Sequence, residues 1–600
     1  MSDSSRRAPD DATAPLAAPN DAHDARDADP HAAHDVASAA AAAPLTADVA
    51  PLELADHLAS LGFHLVDEDR AALTAERDRL VRLLRGVPAR AARPDAPLLM
   101  VVGGGSGAGK STTVNTLAGR RVTDVGVVRP TTRVPTLVCH PGERGRFEDD
   151  RVLPGLTRIS EDAAGTPSGR QLRLTTSARL PAGVALLDTP DIDTVEVANH
   201  ALADEALDAA DVWLWLVTAR TYADEVGATY LRRARDRQAM VVVAVTQVRD
   251  EERAEVLADV PRRLRAEGLD PAGIVEIAHQ PVEDDRLPES TVAPLRDLLA
   301  DLAPDERRAE VRRAAIEGLR SAVPAELTGM RRAVERELEA AGRLRATVDA
   351  RFDRVPDDLR EELEAGLSLR AEVLERWRGL VGGNAALQKV QSAAEQVGSV
   401  VRTRLGRRTT DPTEQMQVEV AGELTRIVTR LLEHAHDRAR RDLEADPVSR
   451  DLLDDHPEIR GHGEDRPQRV RRAIADWEDA VSRLVEEVGA PRRDRARRWT
   501  NAVNAVATSA ILVLFALSGG LTTGEVGIAA AAAATSHWLL TKLLGERNVQ
   551  RLLEDIRDDL QERVGGLLDE ERAPFHVALD AATPPRPAVA TLRAVTRSEP

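Results

Sequence analysis

One cysteine, Cys139, stands in a chain of 600 residues, so no internal disulfide can staple the fold. The sequence opens with no apolar run of the kind that forms a signal peptide. Together these absences point to a reducing compartment, the cytoplasm. Aromatic residues make up only 2% of the chain, while hydrophobic residues reach 42%. The apolar material is therefore mostly Ala, Leu and Val, which favours helices over β-sandwiches. An excess of positive charge is also lacking: the formal net charge is −19, which argues against a nucleic-acid coat, and no nucleic-acid partner is expected. Lysine is nearly missing. Lys110, Lys389 and Lys542 stand against 78 arginines.

What is present falls into blocks, since 600 residues exceed what one hydrophobic core usually serves. Residues 1–47 are low-complexity Ala, Asp, Pro and His, with too few large apolar groups to offset ordering entropy, and are expected to be a disordered tail. Nothing fixes His23, His31 and His34 for metal binding. Residues 48–95 carry two helical patterns, expected to pack on a helical stalk, before Pro88, Pro94 and Pro97 break the helix. From 96 to 300 short apolar runs alternate with helical stretches: Leu98–Val102, Thr136–His140, Leu172–Ser177, Val184–Leu187, Val212–Val217, Met240–Thr246 and Ile274–Ala278. Several are apolar on both faces, as in a sheet covered by helices on both sides. The fold class expected is an α/β phosphate-loop domain, three-layered around a mixed, mostly parallel sheet, followed by a long all-α domain. Residues 301–498 read as a helical stalk or bundle, 546–573 as an amphipathic helix with Val549, Leu552, Leu553, Ile556, Leu560 and Leu567 on one stripe, and 574–600 as a flexible tail.

The stretch MVVGGGSGAGKSTT, from Met100, contains Gly104, Gly109, Lys110 and Ser111 in the spacing G-x-x-x-x-G-K-[ST], between an apolar strand and a helix. Glycines there let the amides of Gly104, Gly105, Ser106, Gly107, Ala108 and Gly109 turn inward around phosphate oxygens, and the new helix adds its positive end. Lys110 is the only lysine in the first 388 residues. A compact ammonium on a slim stem reaches β- and γ-phosphates where a broad guanidinium does not, so composition has yielded to chemistry at this position. Ser111 is a Mg²⁺ ligand by the same motif, and Thr112 faces the α-phosphate. A carboxylate closing a neighbouring strand usually completes the metal site, and Asp188, directly after Val184–Leu187, fits. The loop Arg129-Pro130-Thr131-Thr132-Arg133 holds two threonines able to close over the γ-phosphate and Mg²⁺.

This order of pieces resembles the bacterial dynamin-like GTPases. GKSTTVNTLAG is similar to their first motif, PTTR to the switch I segment, LLDTPDID to the DxPG segment of switch II, and VWLWLVTARTYADE to the strand and loop that follow. The resemblance covers 96–300 by motif and the rest by architecture. It implies GTP as substrate, Mg²⁺ as cofactor, catalytic roles for Lys110, Thr132 and Asp188, and metal ligation by Ser111, Thr132 and Asp188. Base recognition would fall to Thr246, Gln247 and Asp250. Two departures stand out: Asp191 replaces the DxPG glycine, and the [NT]KxD motif reads Thr246-Gln247-Val248-Arg249, with Asp250 one place late.

Residues 499–545 hold two uncharged runs, 500–524 and 526–541, joined near Gly519, Gly520 and Gly524, with arginines at 492, 493, 495, 497 and 498 before them and Lys542 and Arg547 after. Positive flanks on both sides favour a membrane-inserting hairpin with Trp499 and Trp538 at the headgroups. An Ala-rich hairpin buried inside the stalk is the rival reading. The function expected is a GTPase that couples Mg²⁺-dependent GTP binding and hydrolysis to membrane binding or remodelling. Its partners would be GTP, anionic lipids at the inner face of the cell membrane, and further copies of itself. A phosphate-loop ATPase or small-molecule kinase, and a nucleotide-regulated scaffold with little hydrolysis, are the alternatives.

Overall fold

The computed structural model describes residues 49–66, 70–125, 134–149, 151–160, 170–191, 197–218, 225–381, 412–461, 463, 465–489, 501–517 and 528–597. The expected N-terminal disordered tail lies outside them. The chain divides into two compact units, Met1–Leu61 with Ala75–Arg331 and Arg586–Pro600, and Gly62–Thr74 with Arg332–Pro585.

Among the described residues the first unit is built on eight strands: β1 (Leu98–Gly104), β2 (Thr136–Cys139), β3 (Thr157–Ser160), β4 (Gln171–Thr176), β5 (Val184–Asp188), β6 (Val212–Thr218), β7 (Met240–Val248) and β8 (Gly273–Ala278). They form one sheet in the order β3-β4-β2-β5-β1-β6-β7-β8, parallel throughout except where β2 meets β5. The expected strands are all present. β3 was not legible because its four residues, Thr-Arg-Ile-Ser, are only half-buried at the sheet edge and carry no apolar run.

Strand alternation divides the core. Leu99, Val101, Trp213, Trp215, Val241 and Val243 face one side, Leu98, Met100, Val102, Leu214, Val242 and Ala244 the other. Helices cover both. α1 (Pro51–Ala59) and α2 (Arg70–Ala91) precede the sheet, and α3 (Lys110–Ala118) follows β1. α4 (Val197–Ala209), α5 (Glu225–Asp236) and α6 (Arg253–Ala266) bring Leu202, Ala206, Leu231 and Val260 to the first face, while α3 and α7 (Ala293–Leu302) bring Val114, Leu117, Leu295 and Leu299 to the second. This is the expected three-layer mixed sheet.

The first unit extends past 300 and includes helix residues outside the expected 96–300. The reason is charge. Asp208, at the end of α4 and buried, accepts from Arg79 of α2 at 2.9 Å and Arg237 at 2.6 Å, and pairs with Arg233 of α5. Glu326, on α8 (Asp305–Phe352), binds Arg79 and Arg237 in turn. Burial alone would raise the pKa of Asp208, but the guanidiniums of Arg233, Arg237 and Arg79 outweigh it and hold the carboxyl well below its usual range. Arg312 caps the carbonyls of Arg93, Ala96 and Pro97 at the start of β1 and pairs with Asp211 at 3.2 Å. Helix Arg586–Thr596 belongs to the same unit, where Thr591 bonds His57 of α1 at 2.8 Å.

The regular elements of the second unit, among its described residues, are all helices. It contains the end of α8, α9 (Val355–Ala365), α10 (Ala371–Val381), α11 (Pro412–Ala445), α12 (Arg450–Asp455), α13 (Arg466–Gly489), α14 (Asn501–Leu517), α15 (Ile528–Leu544) and α16 (Glu546–Ala582). The expected flexible tail from 574 is corrected: α16 runs to Ala582, and Arg586–Thr596, here α17, is also helical. Phe575, Ala578, Leu579 and Ala582 continue the buried stripe of α16, and Ala588, Val589, Leu592 and Val595 give α17 one of its own.

The apolar segment also differs from expectation. α14 and α15 pack together inside this unit, and α14 is core: Ile511, Leu512, Val513, Phe515 and Ala516 are buried, with Trp477 against Phe515 at 5.3 Å between ring centres. Its polar groups have partners, since Ser509 donates to the carbonyl of Ala505 at 2.9 Å, and Ser536 of α15 accepts from the Trp377 indole at 3.0 Å. No described helix is long and apolar enough to cross a membrane. Among the described residues α14 is thus covered by protein, whereas α15 keeps Ala534 and His537 exposed; hydropathy alone does not separate a core helix from a bilayer helix. Trp538 is part-exposed, and Trp499 and the arginines before it lie outside the described residues.

Asp208→Asn should destabilise the first unit by about 3 kcal/mol, since it leaves converging guanidiniums uncompensated, and urea denaturation of the full chain will measure it. Because the native pKa is lowered, the contribution is complete above the unfolded value of about 3.9 and is lost as pH falls through the native one. The variant should accordingly show a shallower loss of stability as pH falls below about 4.

Candidate functional site

β5, β1, β6, β7 and β8 end side by side, with Val102 opposite Asp188, Gly104 opposite Leu216 and Thr218 opposite Thr246. The glycine run leaves the sheet at this edge. Gly104 has φ +140°, and a Cβ there would lie 2.3 Å from the Leu216 carbonyl oxygen, so only glycine allows β1 to leave so close to β6. Five residues on, Gly109 takes a left-handed φ of +88° and caps α3. Between these pivots the loop is tied down from β7: the Thr246 hydroxyl donates to the Ala108 carbonyl at 2.8 Å, and the Gln247 amide donates to that of Gly107 at 2.7 Å. Thr246 and Gln247, expected at the base, are seen to brace the loop.

Lys110 is only 4% exposed, a buried ammonium that needs acceptors. It donates to the carbonyls of Gly104 at 2.9 Å and Gly105 at 3.0 Å, and to Asp191 Oδ1 at 2.5 Å. Next to it, Asp188 is fully buried. Its Oδ2 accepts from Ser111 and from Thr123, each at 2.8 Å, while Oδ1 has no hydrogen-bond partner among the described residues. Burial pushes the Asp188 carboxyl up to about 6; the hydrogen bonds from Ser111 and Thr123 and the charge of Lys110 pull against this, and Asp191 adds to the rise.

A buried carboxylate with one idle oxygen, beside a serine hydroxyl, suits a hard cation with oxygen ligands. Mg²⁺ commonly takes one or two such protein groups and completes its shell with water and phosphate. Ser111 and Asp188 fit it. Thr132, the remaining expected ligand, lies outside the described residues, as does Thr131. Asp250 is brought close but not into the loop: it is exposed, and with Ala278 and Gln280 it lines a cavity beside the ends of β7 and β8. Thr112 lies in the first turn of α3, where its carbonyl accepts from Thr116 at 2.7 Å.

Thr123 was missed, and so was Asn115, the residue that positions it. Asn115 Oδ1 accepts from the amides of Val122 at 2.8 Å and Thr123 at 3.0 Å, folding the segment after α3 back toward Asp188. No sequence signal singles Asn115 out, because the short helix that holds it, KSTTVNTLA, is mostly polar. Thr189 also contributes, donating to the Val102 carbonyl at 2.9 Å and fixing the chain just after Asp188.

Residues 99–248, which span β1 to β7 and every group placed around Lys110, match the family model described as the dynamin family. That segment is a dynamin-family domain. Two solved structures, both described as an oligomerised bacterial dynamin pair that provides a mechanism for the long-range sensing and tethering of membranes, align with 92% and 90% of this chain and 94% and 96% of theirs. Each is 12% identical, with TM-scores of 0.37 and 0.36. No curated protein matches the sequence. In the dynamin-family domain the phosphate loop, the strand-end aspartate and the residue that replaces the DxPG glycine all fall at the C-terminal edge of the sheet, where open α/β sheets bind ligands.

Thr123→Val keeps the shape and removes one hydrogen bond to Asp188. Nucleotide affinity in the presence of Mg²⁺ should fall by about tenfold, the usual scale for a group that orients a metal ligand. Affinity without the metal should change little, and titration of a fluorescent nucleotide with and without Mg²⁺ checks this.

Proposed function

We propose that this chain is a dynamin-like GTPase that couples Mg²⁺-dependent GTP binding and hydrolysis to membrane binding or remodelling. The observation that carries the nucleotide part is the pairing of a buried, carbonyl-held Lys110 with an Asp188 whose Oδ1 has no partner among the described residues. A cation and an anion-stabilised metal position, a few residues from one loop, suit a Mg²⁺-bound polyphosphate. Lys110 and the loop amides would bind the β- and γ-phosphates, and Ser111 and Asp188 would hold Mg²⁺. When bound, Mg²⁺ supplies neutralisation of charge developing on the phosphate oxygens. Thr246 and Gln247 keep the loop amides in place, so little rearrangement is needed when the phosphates arrive.

Guanine is favoured by the way β7 ends. Thr246 lies opposite Ile277 and Val248 opposite Ala278, so Gln247, at φ +58°, is an extra residue in a bulge. One inserted residue is also the amount by which Asp250 trails the [NT]KxD spacing. The bulge absorbs the offset and leaves Asp250 beside β8, where an aspartate can accept from a guanine edge. GTP turnover by the full chain should exceed ATP turnover, and Lys110→Ala should abolish it. Equal turnover of the two would favour a phosphate-loop ATPase.

Contact with anionic lipids at the inner face of the membrane, and assembly of copies of the chain, complete the proposal. If α14 and α15 are the lipid-binding part, α14 must leave the core described above. Exposing Ile511, Leu512, Val513, Leu514, Phe515 and Leu517 to water would cost on the order of 10 kcal/mol, so the limb should leave only into apolar surroundings. Liposome flotation should accordingly show binding to anionic vesicles that is lost when 500–545 is deleted. Binding that survives the deletion would remove the hairpin from the lipid contact.

A further inference from the structure

We infer that Asp191 is an internal stand-in for the γ-phosphate, and that it sets the preference of the site between diphosphate and triphosphate. The inference rests on the nucleotide reading above and concerns one residue that departs from the DxPG pattern. An ammonium has three N–H donors. In Lys110 all three are engaged: two by the loop carbonyls of Gly104 and Gly105, the third by Asp191 Oδ1 at 2.5 Å. The carbonyls belong to the loop that forms the cradle. Asp191 belongs to the segment after β5, and is the one acceptor that can withdraw without unmaking the loop.

The ion pair is well shielded, with the Lys110 side chain 4% and that of Asp191 12% exposed, so water screens it weakly. A lysine in this motif reaches the β- and γ-phosphates. A carboxylate oxygen at hydrogen-bond distance from its Nζ therefore occupies a place that an outer phosphate oxygen would take. A nucleoside diphosphate can seat its phosphates on the loop amides, with the charge of Lys110 nearby but no hydrogen bond from it, while Asp191 keeps the third donor. A triphosphate cannot, because its γ-phosphate and the carboxylate are like charges competing for one N–H. Arrival of the third phosphate must expel the Asp191 carboxylate.

Two consequences follow. The triphosphate binds more weakly than the cradle alone would allow, because part of its binding free energy goes into breaking the pair. The movement after β5 is also driven by repulsion and exchange of an anion, where a glycine would instead offer an amide to the γ-phosphate. A glycine senses the third phosphate by attraction, whereas Asp191 senses it by being displaced.

The test compares wild type, Asp191→Asn and Asp191→Gly, with Lys110→Ala as control, by titration of fluorescent GDP and of a fluorescent non-hydrolysable GTP analogue in Mg²⁺. Both substitutions at 191 should tighten the triphosphate by about tenfold or more, the worth of a charge-assisted hydrogen bond, and should move the diphosphate by less than about threefold. Asn, which keeps the size and loses the charge, guards against an effect of backbone freedom in Gly. Equal shifts for the two nucleotides, or no shift in a protein that binds both, overturn the stand-in role and leave the nucleotide reading intact. Binding of neither nucleotide by any variant, with Lys110→Ala indistinguishable from wild type, overturns both.

Discussion

A positive charge that is buried must be answered on every donor, and the geometry around Lys110 follows from that requirement. Two of its acceptors are backbone carbonyls, which fixes the curvature of the loop between Gly104 and Gly109. That curvature is possible only because Gly104 has no side chain to meet the Leu216 carbonyl and Gly109 accepts a left-handed backbone. The third acceptor, Asp191, draws the chain after β5 toward the same point, and this chain also carries Asp188 to Ser111. The ends of two neighbouring strands, β1 and β5, thus meet at one ammonium.

Much of this was legible in the sequence, for reasons that differ by element. β1, β6 and β7 are continuous apolar runs, and burial on both faces of a sheet leaves that pattern by necessity. The loop was legible because its residues are local, with the motif spanning only Gly104 to Ser111. Thr123 was not, because its contact with Asp188 joins segments 65 residues apart and nothing in the intervening sequence encodes it, and Asn115 was not because its part is to hold the amide of Thr123. The expected boundary near 300 failed for a related reason: Arg79, Asp208, Arg237 and Glu326 come from four distant places, and arginine is too common in this chain for any one to mark itself.

The apolar segment shows a limit of another kind. Alanine, leucine and valine in helical order satisfy a protein core and a bilayer equally well, and the discriminating features are partners. Trp377 on Ser536, and Phe515 on Trp477, are such partners, and they exist only in three dimensions. The C-terminal residues err in the opposite direction. Pro574, Pro584 and Pro585 suggest a broken tail, yet the apolar stripe of α16 runs through the first, and α17 starts after the others.

The bulge at Gln247 narrows what this position can tolerate. Its backbone sits at φ +58°, a region that β-branched side chains avoid, while its amide reaches the Gly107 carbonyl. Glycine would relax the backbone and sever the strut; valine would meet both difficulties at once. Drift at this site is therefore confined to residues that tolerate left-handed geometry and still offer a long-armed donor, a bottleneck that lies in no catalytic group and is set wholly by the way one strand is kinked.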